Sequence, residues 1–370
     1  MTTPVTSDVS LSATHSEIRQ QPGAWRELRD GLVRRGGELA AFLEPVLARE
    51  DLRIVFTGAG TSAFIGDIAA EALRPVLGRR VDAVATTDLV ADPRGALAEP
   101  LPVLLVSFAR SGNSPESLAA TRLVDRLAPQ AHHLVVTCNE QGQLAREHQG
   151  AAGSFVLLLP EQTHDRGFAM TSSFSTMLLA ALLAFDPAGL GAVDALAAAS
   201  SSLIDRAGEV EALLDSAPHR VVHLGSGPLK GLAQESALKL LELTAGRVAA
   251  FHDTPLGFRH GPKSIVDDRT LVVVHASADP YTAQYDADIV AELRADHPGR
   301  VVHLGADGGF AVPGLDGLPD GLRAVALATF SQLLALGASV RQGCDPDNPF
   351  PDGTVNRVVQ GVRIHELPVR

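Results

Sequence analysis

The chain has 370 residues, 45% of them hydrophobic and 20% charged, with a formal net charge of −12 at pH 7. That length suits two ordinary cores or one large sheet protein and needs no covalent staples, while the acidic balance argues against nucleic acid as the main partner. Two cysteines, Cys138 and Cys344, are too few for a disulfide framework and lack metal-ligand spacing, which suits a reducing cytoplasm.

The amino terminus shows no basic start followed by an apolar run, so no secretory signal is read there. Residues 1 to about 14 are rich in Ser and Thr and predict a disordered start. From Glu17 the spacing of Ile18, Trp25, Leu28, Leu32, Leu39, Phe42, Leu43 and Val46 predicts an amphipathic helical arm, with Trp25 as a packing residue. Arg53 to Thr57 is a short buried strand that runs into Gly58–Phe64 (GAGTSAF) and a helix. The strand PVLLVSFA, the loop RSGNSPES and another helix follow, and HHLVVTCN, QGQLAREH and SFVLLLP complete an alternating β/α pattern. Such alternation predicts a parallel sheet covered by helices, with ligands at the carboxyl ends of its strands. The longest apolar run, Met177 to Phe185, is too short to span a bilayer, and no membrane partner is expected.

The pattern then starts over. VVHLGSGPLKGLAQESALKLLEL repeats the layout of IVFTGAGTSAFIGDIAAEAL, and LVVVHASADPYTAQYDADIVAEL that of VLLVSFARSGNSPESLAATRLV. The predicted organisation is a tail and helical arm (1–39), a first α/β domain (40–190), a linker helix (191–204) and a second α/β domain (205–370). In the second copy Ala278, Asp279 and Pro280 stand where Ser111, Gly112 and Asn113 stand in the first, so only the first should bind an anion. The final stretch, rich in Asp, Pro and Gly, reads as a long functional loop.

Chemistry concentrates at three places. Arg110, Ser111, Gly112, Asn113 and Ser114 offer hydroxyls, freed amides and a guanidinium at a helix start, and Thr61 and Ser62 bring a second loop to the same sheet edge. Ordinary helix capping is the bland reading of the same residues. All three lysines, Lys230, Lys239 and Lys263, fall in one helix and the loop after it. A lysine offers an ammonium whose pKa can be lowered. Glu235, Lys239 and Glu242 share one face of that helix, either a solvated ion pair or a proton-handling site whose carboxylate pKa is raised, with His260 in the following loop as a partner. His164, Asp165 and Arg166, with Thr171 and Ser172 beyond them, form either a helix cap or a sugar-binding wall. Nothing predicts a metal site.

Taken together, GAGTSAF, SFARSGNSPES, and ESALKLLEL followed by FRHGPKSIVD resemble the sugar isomerase (SIS) domain, present twice. The chain is similar to the isomerase half of glucosamine-6-phosphate synthase. It is closer to the galactosamine-6-phosphate deaminase/isomerase (AgaS) family through EIRQQPGAW, LPEQTHDRGFAMTSSF, FHDTPLGFRHGPK and GCDPDNPFPDGTVNRVV. The resemblance implies two tandem SIS domains, each a doubly wound parallel sheet flanked by helices. It implies Ser62, Ser111 and Ser114 at the sugar phosphate, Glu242 as the base moving a proton between C1 and C2, and Glu235 and Lys239 in support. His260 becomes the ring-opening acid/base given by a neighbouring subunit, hence a homodimer or homotetramer with a shared site. Ala109 and Arg110 depart from the family's usual serine and neutral residue, and Asn356 or Arg357 falls where the synthase's tail brings a lysine. No glutaminase segment precedes the repeats, which fits ammonia release better than synthesis. The implied reaction needs no cofactor: D-galactosamine 6-phosphate and water give D-tagatose 6-phosphate and ammonia. The alternatives are a plain aldose/ketose phosphate isomerase, a glucosamine-6-phosphate deaminase and a non-catalytic sugar-phosphate sensor.

Overall fold

The computed structural model describes residues 11–359 and 361–368. Helix α1 (Ala13–Leu47) opens the described chain and is capped twice: Ser12 accepts from the His15 amide, and the Asp347 carboxylate accepts from the amides of Ala13 at 2.7 Å and Thr14 at 2.8 Å. Both caps satisfy first-turn amides that a helix leaves free. Residues 11–14 are therefore not the loose start expected of them, and the rest of that expected tail, residues 1–10, lies outside the described residues. The helix also continues past residue 39 to Leu47, so arm and first half share one element.

The first half then runs β1 (Arg53–Thr57), α2 (Thr61–Leu77), β2 (Val81–Ala83), α3 (Thr86–Ala91), α4 (Pro93–Ala96), β3 (Val103–Ala109), α5 (Pro115–Leu127), β4 (Ala131–Thr137), α6 (Gln143–His148) and β5 (Ser154–Leu158). Its five strands are all parallel, in the order β2-β1-β3-β4-β5. All seven residues of β3 are buried, as a strand covered on both faces requires. The order reverses between β1 and β3, so the loops after these two strands flank the switch point where doubly wound sheets bind ligands.

Helices α7 (Ser172–Phe185), α8 (Val193–Asp205) and α9 (Ala207–Ala212) lead to β6 (Arg220–Leu224), α10 (Pro228–Leu243), β7 (Ala249–Asp253), α11 (Pro255–Phe258), β8 (Thr270–His275), α12 (Thr282–Asp296), β9 (Val301–Leu304) and α13 (Asp320–Arg341). The second sheet, β7-β6-β8-β9, is again parallel and repeats the order of the first without a fifth strand. The repetition extends to backbone detail. Arg53 pairs with Val103 as Arg220 pairs with Thr270, and Gly60 (φ 55°, ψ −127°) matches Gly227 (φ 53°, ψ −130°), a conformation that favours glycine.

Three helices decide where the halves meet. Helices α2 and α10 touch at Gly231, where an added Cβ would lie 2.7 Å from Ile68 Cγ1, and Thr61 lies beside Glu235 further along, so the pair runs antiparallel. Helix α13 is long and apolar enough to cross a bilayer by composition, yet it is enclosed almost all round by the rest of the chain. One apolar core, from Ile18 to Ala338, runs through both halves. A buried relay fixes α1, α7 and α13 together: Trp25 Nε1 donates to Ser175 Oγ at 3.1 Å, Ser175 to Gln21 Oε1, Gln21 Nε2 to Gln332 Oε1 at 2.8 Å, and Gln332 Nε2 to the Thr171 carbonyl at 3.2 Å. Trp25 thus packs, with its one polar atom satisfied.

Candidate active site

On α10 the spacing of four and three residues brings Glu235, Lys239 and Glu242 into one ionic group. Lys239 Nζ pairs with Glu242 Oε2 and lies 3.5 Å from Glu235 Oε1. The side chains are 1% exposed for Lys239, 3% for Glu235 and 25% for Glu242, so only Glu242 reaches open space. Burial pushes the Glu235 carboxyl up to about 8; Lys239 opposes the rise and Glu242 adds to it. Burial works to lower the Lys239 pKa, but the two carboxylates outweigh it and raise it. The two carboxylates thus favour the charged form of Lys239. The raised carboxyl is Glu235, the enclosed one.

The first-half loops meet this face. Thr61, first residue of α2, is near enough to Glu235 to favour its ionised form, yet Thr61 Oγ1 and both Glu235 oxygens are buried without a hydrogen-bond partner. Ser62 Oγ faces Met170 Sδ at 3.8 Å. In the other loop Ser111 accepts from the Asn113 amide at 3.3 Å, and Gly112 takes φ +66° against Gly142. Asn113 Oδ1 accepts from the Gln143 amide at 2.9 Å, and Ser114 caps α5 through the Ser117 amide at 3.3 Å. Asn113 and Ser114 therefore carry the capping roles of the bland reading, while Ser111 remains at the loop surface.

Arg110 joins the sets. Its buried guanidinium donates to the carbonyls of Phe168 at 3.3 Å and Arg357 at 3.1 Å. Burial lowers its pKa first and the Arg357 charge next, against the pull of Asp165 and Glu242. It thus lies between the β3 loop, the carboxy-terminal segment and Glu242.

Of the expected sugar wall, part is a cap. Asp165 is fully buried and accepts from the Thr171 and Ser173 amides, each at 2.8 Å, and from the hydroxyls of Ser172 and Ser173, which closes the start of α7. Thr171 and Ser172 are fully buried with it. The Arg166 side chain is exposed, and Asn356, also exposed, bonds only the Gly353 carbonyl at 3.3 Å. His164 and Arg357 do approach the site: Arg357 donates to the Asp165 carbonyl, and His164 has its pKa lowered by burial, then by Arg357 and Arg110. Sequence reasoning missed Glu17. Its buried carboxylate accepts from the amides of Arg166 and Gly167, and its pKa rises to about 6, through burial first and Asp165 second. The available signal was a polar run at helical spacing, Thr14, Glu17 and Gln21, on the buried side of α1 beside Ile18 and Trp25.

His260 stands apart. It is exposed, its amide bonds the Gly257 carbonyl at 2.9 Å, and no hydrogen bond or ion pair ties its ring to the α10 face. Lys263 pairs with Glu292 and lies 3.7 Å from Asp296 on α12, a surface network.

Residues 46–186 match the SIS domain family. The AgaS protein of Streptomyces coelicolor is 56% identical over 99% of this chain and 100% of its own length. The D-galactosamine-6-phosphate deaminase AgaS of Escherichia coli is 48% identical over 95% of each. The solved tagatose-6-phosphate ketose/aldose isomerase of Escherichia coli superposes with a TM-score of 0.89 at 44% identity, covering 99% of this chain and 100% of the other.

Proposed function

The chain belongs to the AgaS family of SIS-domain proteins, and on that footing we propose that it converts D-galactosamine 6-phosphate and water to D-tagatose 6-phosphate and ammonia. The observation that carries the reading is the meeting of the buried Glu235–Lys239 pair and half-open Glu242 with the first-half loops, through Thr61 on one side and Arg110 on the other. A phosphate at the start of α2 and the Ser111 loop would lie beside a group able to move a proton.

Glu242 is the base of this scheme. Once the ring is open, the C1 carbonyl acidifies the C2 proton of the amino aldose, and a carboxylate can take it. Returning the proton at C1 leaves an imine at C2, which water splits to a ketone and ammonia. Lys239 holds the Glu242 carboxylate in place, and Glu235, with a pKa of about 8, keeps its proton near neutral pH and so leaves the base role to Glu242. Binding energy from the remote phosphate orients the reacting carbons. His260, exposed on the loop that follows β7, supports a site completed by a second copy, where it would open the ring.

Purified protein offered galactosamine 6-phosphate and glucosamine 6-phosphate in separate assays should release ammonia, faster from the galactosamine epimer. Ammonia from neither would overturn the proposal. The name of the superposing isomerase favours one second reading, interconversion of aldose and ketose phosphates without ammonia, and the same assay separates the two.

A further inference from the structure

The duplicated framework gives the second half a β8–α12 turn that, counted from the paired strand positions, is of the same length as the one after β3, and that turn is filled from within. Asp320, first residue of α13, places its carboxylate on the loop: Oδ1 accepts from the Ala278 amide at 2.7 Å, and Oδ2 from the Ser277 hydroxyl. By register, Ser277 and Ala278 follow β8 as Arg110 and Ser111 follow β3. A cation also faces this carboxylate. Arg323 is 6% exposed, its Nη2 donates to the carbonyls of Ala276 and Gly305, and its Nε is buried without a hydrogen-bond partner, 3.7 Å from Asp320 Oδ1. An amide, a hydroxyl and an unpartnered guanidinium N–H converging on one carboxylate are the donors that bind a phosphate oxygen.

We propose that the second half carries a degenerate anion site held shut by the Asp320 side chain, and that a small phosphate enters it once that side chain is removed. Asp320 also lines a cavity of about 240 Å³ with Glu71, Pro75, Leu182, Asp186, Pro228 and Leu322, so truncation opens the loop onto existing space whose other charged walls, Glu71 and Asp186, are acidic. Asp279 and Asp286 are further acids at the turn: Asp279 Oδ1 accepts from the amides of Tyr281 at 3.1 Å and Thr282 at 2.8 Å, one oxygen of Asp286 accepts from the Ser277 amide at 2.9 Å, and both stay in place as walls of the site. Confinement of anion binding to the first half would then follow from an internal ligand, and not only from the missing serines of the second loop. The proposal takes the first-half loops as the working anion site, and the test separates the two claims.

Calorimetric titration of the full-length protein with inorganic phosphate should give one site per chain in the wild type and two in Asp320→Gly. Asp320→Asn, which keeps an acceptor on the Ala278 amide, should stay at one. Ammonia release should persist in both variants, since Asp320 meets α10 at its first residue, Pro228, seven residues before Glu235. Asp320→Gly should also gain thermal stability with added acetate or phosphate, more than the wild type does. Two sites in the wild type, or a folded Asp320→Gly with no added site and no anion-dependent stabilisation, would overturn the proposal. If Asp320→Gly fails to fold, Asp320→Ser takes its place under the same criteria. A wild type that binds no phosphate while Asp320→Gly binds one would sink the first-half reading and uphold this one.

Discussion

Glu235 and Glu242 lie on the same face of one helix, and what separates them is the arrival of α2, which covers the first and leaves the second 25% exposed. Folded Glu235 holds its proton up to about pH 8 against an ordinary value of 4.5. The folded state therefore binds the extra proton between those limits. The associated stability is fully present below pH 4.5 and is lost as pH rises through 8. The unfolding free energy from denaturant titration should fall further between pH 5 and pH 8.5 in the wild type than in Glu235→Gln, by on the order of a few kcal/mol; equal falls in the two proteins would contradict the burial. The i, i+4, i+7 spacing made the ionic group legible in sequence. Which carboxylate would be enclosed was not legible, because the covering atoms, Thr61 among them, belong to the other half of the chain.

At the scale of elements the geometry rests on how closely α2 and α10 approach. A Cβ at Gly231 would meet Ile68 Cγ1 at 2.7 Å and the Ile68 backbone nitrogen at 3.1 Å, and backbone cannot step aside. Gly231→Val should cost about 1–3 kcal/mol through overpacking, read as a lower melting temperature, and should also reduce turnover by shifting Thr61 from Glu235. Gly36→Ala, inside α1 where nothing lies within 4 Å of the added Cβ, is the control and should be neutral or stabilising. The β/α alternation was readable because buried parallel strands are short apolar runs between glycine turns. The start of α1 was not, since its cap, Asp347, comes from the opposite end of the chain. The Asp165 cap was readable only as one of two alternatives: the residues before a helix look alike whether they cap it or line a cleft, and burial alone separates the two.

For the whole molecule, two similar sheets share one core, and the two copies differ in chemistry: the first carries the Arg110–Ser114 loop, the second the ionic helix α10. His260, the expected ring-opening group, is exposed on the chain by itself. If a second copy supplies it, hybrid oligomers of Glu242→Gln with His260→Ala should recover part of the wild-type ammonia release, because one site in each hybrid then has both groups intact; verified hybrids without recovery would argue for sites within single chains. Oligomer geometry was beyond the reach of sequence spacing, which records neighbours along an element and not across a subunit boundary. If Glu242 moves the proton, ammonia release from galactosamine 6-phosphate should differ sharply between the wild type and Glu242→Gln. A loss of about 100-fold or more is expected of a missing general base, with melting temperature and phosphate binding retained. Ammonia release by folded Glu242→Gln at the wild-type rate would contradict it.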